Sequence, residues 1–99
     1  MYIDFHTHIF PDQIAARAVG KLEQISKTTA CSDGTLEGLK ACMRKNGIDM
    51  SVILPVVTKP KQFDSVQRFA EQITEKDGIV SFGGMHPLSP DWKEEIRRI

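Results

Sequence analysis

The chain has 99 residues, enough for one small domain with a modest core. With 40% hydrophobic and 26% charged residues its composition is ordinary for a globular protein, which argues against disorder. Thirteen basic and 13 acidic residues cancel to a formal net charge of zero, so the basic excess that a nucleic-acid binder needs is missing.

The first element predicted is a strand at Tyr2 to Phe5, rich in aromatic and β-branched residues. No basic segment precedes an apolar run there, so no secretory leader is visible and a cytoplasmic protein is expected. Pro11 and Asp12 punctuate the chain. A helix follows, in which Ile14, Ala18, Leu22 and Ile25 are spaced to share one face. Lys27 to Gly34 reads as a polar loop, with Ser32-Asp33-Gly34 as a turn signal. Cys31 in that loop and Cys42 beyond it form no recognisable metal pair and only a weak basis for a disulfide, so both are read as spectators. Leu36, Leu39 and Met43 mark a second helix, and Gly47 stands where a left-handed C-terminal cap is wanted.

Ser51 to Val57 is a Val/Ile/Leu-rich run, the pattern of a strand buried on both faces of a parallel sheet. The longest apolar stretch, Met50 to Val57, is interrupted by Ser51 and Pro55 and is far too short to span a bilayer. Thr58 to Lys61 turns the chain. Val66, Phe69, Ala70 and Ile73 mark a third helix, with Asp64 and Gln67 as its capping box. A short strand is predicted from Ile79 to Gly84. Ser89-Pro90-Asp91 then has the hydroxyl and proline of a helix start, and a fourth helix runs to Ile99. Alternating strands and helices imply an α/β fold with parallel strands joined by helical crossovers.

The chemistry concentrates in Asp4-Phe5-His6-Thr7-His8. Alternate side chains of a strand share a face, so Asp4, His6 and His8 are expected to point one way and Ile3, Phe5 and Thr7 towards a covering helix layer. The imidazoles fall at the C-terminal end of the strand, where parallel α/β folds build their sites. Neutral imidazole suits zinc, iron and nickel, and two from same-face positions can clamp one ion. Such an ion lowers the pKa of a bound water to about 7. Asp4, one layer deeper, either orients a ligand through a hydrogen bond or is a structural carboxylate on backbone amides. The plain alternative for the pair is two accidental histidines in an exposed loop.

The segment Ile3-Asp4-Phe5-His6-Thr7-His8-Ile9-Phe10-Pro11 resembles the opening of the amidohydrolase superfamily, in its amidohydrolase-related branch. That branch includes decarboxylases similar to aminocarboxymuconate-semialdehyde decarboxylase. Gly47-Ile48-Asp49 with Val52-Ile53-Leu54-Pro55, and Gly83-Gly84-Met85-His86-Pro87, are similar to the family's second and third strands, so the resemblance spans nearly the whole chain. It implies a (β/α)8 barrel whose first strand ends in a His-x-His pair binding a divalent metal, usually zinc. It implies a hydrolase or decarboxylase acting on a small carbonyl or carboxylated substrate.

His86 follows the third predicted strand, and Pro87 holds it extended. It is placed to line the pocket, to bind an anionic group or to act as acid–base residue, whereas capping the next helix or facing solvent is the plain reading. Lys59 and Lys61, in the loop after the second strand, are candidates for a substrate carboxylate, although loop lysines are commonly just solvated.

A complete barrel has eight strands and typically about 250 residues. Only the first three units are expected here, and the family's later ligands, histidines from middle strands and a late aspartate, have no counterparts. The expectation is therefore an N-terminal portion, residues 1–99, of one hydrolase barrel, with little or no activity by itself. Open sheet edges also favour a homo-oligomer. Two other readings stand beside the hydrolase. One is a polymerase-and-histidinol-phosphatase type phosphoesterase, although Ser32-Asp33-Gly34 lies a whole helix too late for its motif. The other is a non-catalytic module that oligomerises.

Overall fold

A computed structural model describes residues 1–30, 32–74 and 77–99. Its sheet has three parallel strands in the order β1-β2-β3: β1 (Ile3–Thr7), β2 (Met50–Ile53) and β3 (Ile79–Ser81). Between them run α1 (Asp12–Ser26) and α2 (Leu36–Asn46), then a 3-10 turn (Pro60–Gln62) leading into α3 (Phe63–Ile73); α4 (Trp92–Arg98) follows β3. The α/β class and the parallel strands match the sequence pattern. Among the described residues no helix is long and apolar enough to cross a membrane.

The core lies where α2 and α3 meet the sheet. Ile9, Met43, Ile53, Ile73 and Ile79 form it, with Leu36, Leu39, Ile48 and Phe69 packed around. β2 is central, and Ser51, Val52 and Ile53 are all buried, as a strand covered on both faces requires. The entrance to α2 is built locally. The Thr35 hydroxyl accepts the Gly38 amide at 3.0 Å, and Gly47 ends the helix with φ 68°, the left-handed conformation expected of it.

Several element boundaries differ from the sequence pattern, each for a physical reason. β2 stops at Ile53 and not at Val57: the Leu54 amide makes the last bond to β1, at the Thr7 carbonyl (2.8 Å), and Pro55 has no amide to continue the ladder. β3 stops at Ser81 and not at Gly84, since its partner strand has ended; the Phe82 amide makes one last bond to the Ile53 carbonyl at 3.0 Å. β1 runs later than Tyr2–Phe5 and carries His6 within it.

The side-chain faces also shift. On α1, Ile14 and Ile25 lie on the solvent side, Ile25 being 70% exposed, and the buried residue is Ala15. Asp64 and Gln67 form no capping box. Asp64 pairs with Arg98 at 2.9 Å, while Gln67 is buried and donates to Glu71 and to the Arg98 carbonyl. The α3 entrance is organised instead by the Gln62 carboxamide, which accepts from Thr58 and Lys59. α4 starts at Trp92, because the Ser89 hydroxyl donates to the buried Glu95 carboxylate at 2.9 Å.

Candidate metal centre

β1 does not keep strict alternation. Asp4 aligns with Ser51 and Thr7 with Ile53, so three steps on β1 oppose two on β2, and one extra residue is accommodated around Phe5 and His6. A bulge of this kind breaks the ladder locally and re-aims side chains. The His6 amide is taken up by Asp4 Oδ1 at 3.1 Å. The Thr7 hydroxyl then donates to the Val52 carbonyl at 2.8 Å and fixes the end of β1 on β2.

Beyond the bulge the two imidazoles converge. His6 Nε2 and His8 Nε2 are 3.2 Å apart, with ring centroids 5.0 Å apart and planes at 81°. Two nitrogens bound to one zinc ion at 2.0–2.1 Å and a tetrahedral angle lie about 3.3–3.4 Å apart. The observed separation is close to that distance. His8 Nδ1 is 2.7 Å from the Leu54 carbonyl oxygen, which can only accept, so Nδ1 carries a proton and the neutral ring keeps its lone pair on Nε2. Such outer hydrogen bonds fix the ring orientation of metal-binding histidines.

The remaining candidates sit as follows. Asp4 serves a backbone amide, so its carboxylate reaches the pair through the His6 main chain and not through an imidazole. Both histidines are exposed to solvent, and among the described residues no third His, Cys, Asp or Glu joins them. His86 follows β3 on the extension that runs beside Pro55, at the same end of the sheet. Its Nδ1 accepts the Leu88 amide at 3.1 Å. Lys59 precedes the 3-10 turn after β2 and Lys61 lies within it, both with exposed side chains. Ile3 and Phe5, expected under a helix layer, are 42% and 64% exposed on β1, an edge strand of the sheet.

Asp33 of the Ser-Asp-Gly turn accepts from the Thr35 amide at 2.9 Å and from its hydroxyl at 2.7 Å, and these bonds hold its carboxyl below the usual range. That turn is nonetheless brought to the end of the first strand segment, where the Phe10 amide donates to the Gly34 carbonyl at 2.8 Å. Cys42 is a free thiol, and Cys31 lies outside the described residues.

The His8–Leu54 bond could not have been found from spacing, since it joins residues 46 apart. No protein-family model, curated protein or solved structure matches the chain.

Proposed function

We propose that the chain carries the metal-binding opening of a metal-dependent hydrolase of the amidohydrolase type. In this reading His6 and His8 hold a divalent ion, zinc before others, and the substrate is a small carbonyl compound. The observation that carries it is the meeting of two Nε2 atoms 3.2 Å apart at the C-terminal end of a parallel sheet. When bound, such an ion supplies Lewis acidity and makes water a nucleophile at neutral pH, the chemistry that opens an amide, ester or lactone or assists decarboxylation.

The chain's own groups divide the remaining work. His8 is held in its ligand orientation by the Leu54 carbonyl, and the Asp4 carboxylate steadies the backbone that carries His6. Lys59 and Lys61 offer exposed cations after β2, suited to a substrate carboxylate. The strand order supports the finer proposal that these are the first three units of a (β/α)8 barrel. Consecutive barrel strands are neighbours, and the order rules against a flavodoxin-like sheet with β1 between β2 and β3, while a doubly wound sheet of order 3-2-1 shares it.

Cobalt(II) titration followed by visible absorption tests the reading. A saturable, nitrogen-ligated spectrum is expected, lost in His6→Ala and in His8→Ala. No spectrum, or one that survives both substitutions, ends it. A lactone and amide panel set against a phosphate ester then separates the hydrolase from the phosphoesterase. The unpaired edge of β1, with Tyr2 and Phe5 exposed, favours the oligomerising module as a second reading. Light scattering with and without chelator tests it: a defined assembly indifferent to metal is its signature.

A further inference from the structure

His8 and His86 are each held by a main-chain group whose hydrogen-bonding role admits no choice. The Leu54 carbonyl can only accept, so His8 Nδ1 donates to it across 2.7 Å. The Leu88 amide can only donate, so His86 Nδ1 accepts from it across 3.1 Å. A neutral imidazole has one N–H, and fixing Nδ1 therefore fixes Nε2.

We infer that the main chain sets the two rings in opposite tautomers, giving His8 a lone pair at Nε2 and His86 an N–H there, so that His86 is a hydrogen-bond donor to a substrate carboxylate or carbonyl oxygen. It is then neither a third metal ligand through Nε2 nor a general base. This rests on the hydrolase reading for its substrate, but not for its tautomers.

Placement supports the role. The Phe82 amide bonds the Ile53 carbonyl, and a Cβ on Gly84 would stand 3.2 Å from the Pro55 carbonyl oxygen. The segment leading to His86 therefore runs along the backbone that follows Leu54, the residue that holds His8. A side chain at Gly84 would crowd the Pro55 carbonyl and Val57. The turn after His86 is closed by the Ser89 amide on the His86 carbonyl at 3.0 Å, which keeps the ring's own backbone in place. His86 is half-buried, so an N–H at Nε2 is both accessible and partly shielded from water.

Long-range proton–nitrogen correlation spectra of the labelled chain test this at about pH 8, above the ordinary imidazole value of about 6.5. The expected pattern is a proton on Nδ1 of His8 and on Nε2 of His86. Added zinc should move the resonances of His6 and of His8 Nε2 and leave both His86 nitrogens in place. Acetate, as the smallest carboxylate probe, should move His86 Nε2 and the neighbouring amides of Gly84 and Met85. The His86→Asn variant keeps an acceptor for the Leu88 amide, but its own N–H donors stop short of the Nε2 position, and its Gly84 and Met85 amides should no longer respond.

A His86 proton on Nδ1, a zinc-induced shift at His86 Nε2, or silence across the acetate titration overturns the inference. Zinc that moves no histidine, with the opposite tautomers and the acetate response intact, leaves the inference standing and removes the metal reading instead.

Discussion

Zinc should raise the melting temperature of this chain, and either histidine of the pair should be needed for it. The rings already meet at 3.2 Å, so binding costs no rearrangement of the strand that carries them. A ligand that binds only the folded state stabilises it by about 2.7 kcal/mol at a hundredfold excess over its dissociation constant. In a domain of this size about 1 kcal/mol moves the midpoint by roughly 4–8 °C, so a rise of about 10–20 °C is expected at that excess. Binding to histidines of the unfolded chain lowers the figure.

Without zinc the two substitutions differ. His6→Ala removes an exposed ring and should change stability by less than about 0.5 kcal/mol. His8→Ala also removes the bond to the Leu54 carbonyl and should cost about 1 kcal/mol. Calorimetry with zinc and with chelator reads both effects, with His86→Ala as the variant that retains the zinc response. A shift of equal size in His6→Ala, His8→Ala and the unaltered chain would mean that the ion binds elsewhere, and the convergence of the rings would then have no bearing on metal.

Thr7→Val keeps the shape of the side chain but removes the 2.8 Å bond to the Val52 carbonyl, and should lower urea stability by about 1 kcal/mol. Ile79→Ala empties the most deeply buried position, 0% exposed, and should cost about 2–5 kcal/mol by denaturant titration. That is a large part of the total for a small domain. The Thr35 amide, and then its hydroxyl, hold the Asp33 carboxyl below its usual range, so its folded value lies below its unfolded one. The resulting stabilisation is present above the unfolded carboxylate value of about 3.9 and is lost as pH falls through the folded value. Asp33→Asn should therefore flatten the acid limb of the stability curve, measured by urea midpoints against pH.

How much of this was legible in the sequence depends on whether the deciding interaction is local. The Gly47 cap could be placed from spacing because the groups that decide it lie within one turn. The strand ends could not, because a ladder runs only as far as its partner, and β2 makes its last bond to β1 where β1 ends at Thr7. Gln67 was read as a capping residue, and its burial against the Arg98 carbonyl depends on where α4 comes to rest. On α1 Ala18 and Leu22 are half-buried, as their spacing suggests, while Ile14 and Ile25 are exposed. Ala15 faces inwards because the Gly34 turn packs against it, together with Phe10 and Val19, and no pattern within the helix encodes that partner.

The histidine pair shows the same division more sharply. Alternation along a regular strand would give His6 and His8 a common face but no reason for their nitrogens to meet, since side chains two apart rise in parallel. The extra residue around Phe5 and His6 tilts the strand, and the Leu54 carbonyl draws His8 into a fixed orientation. Convergence is thus the product of an irregularity in β1 and an anchor on the chain leaving β2. The exposure of Phe5 on the same bulged edge accompanies that departure from regularity. The motif names the two histidines, and the neighbouring strand brings them together.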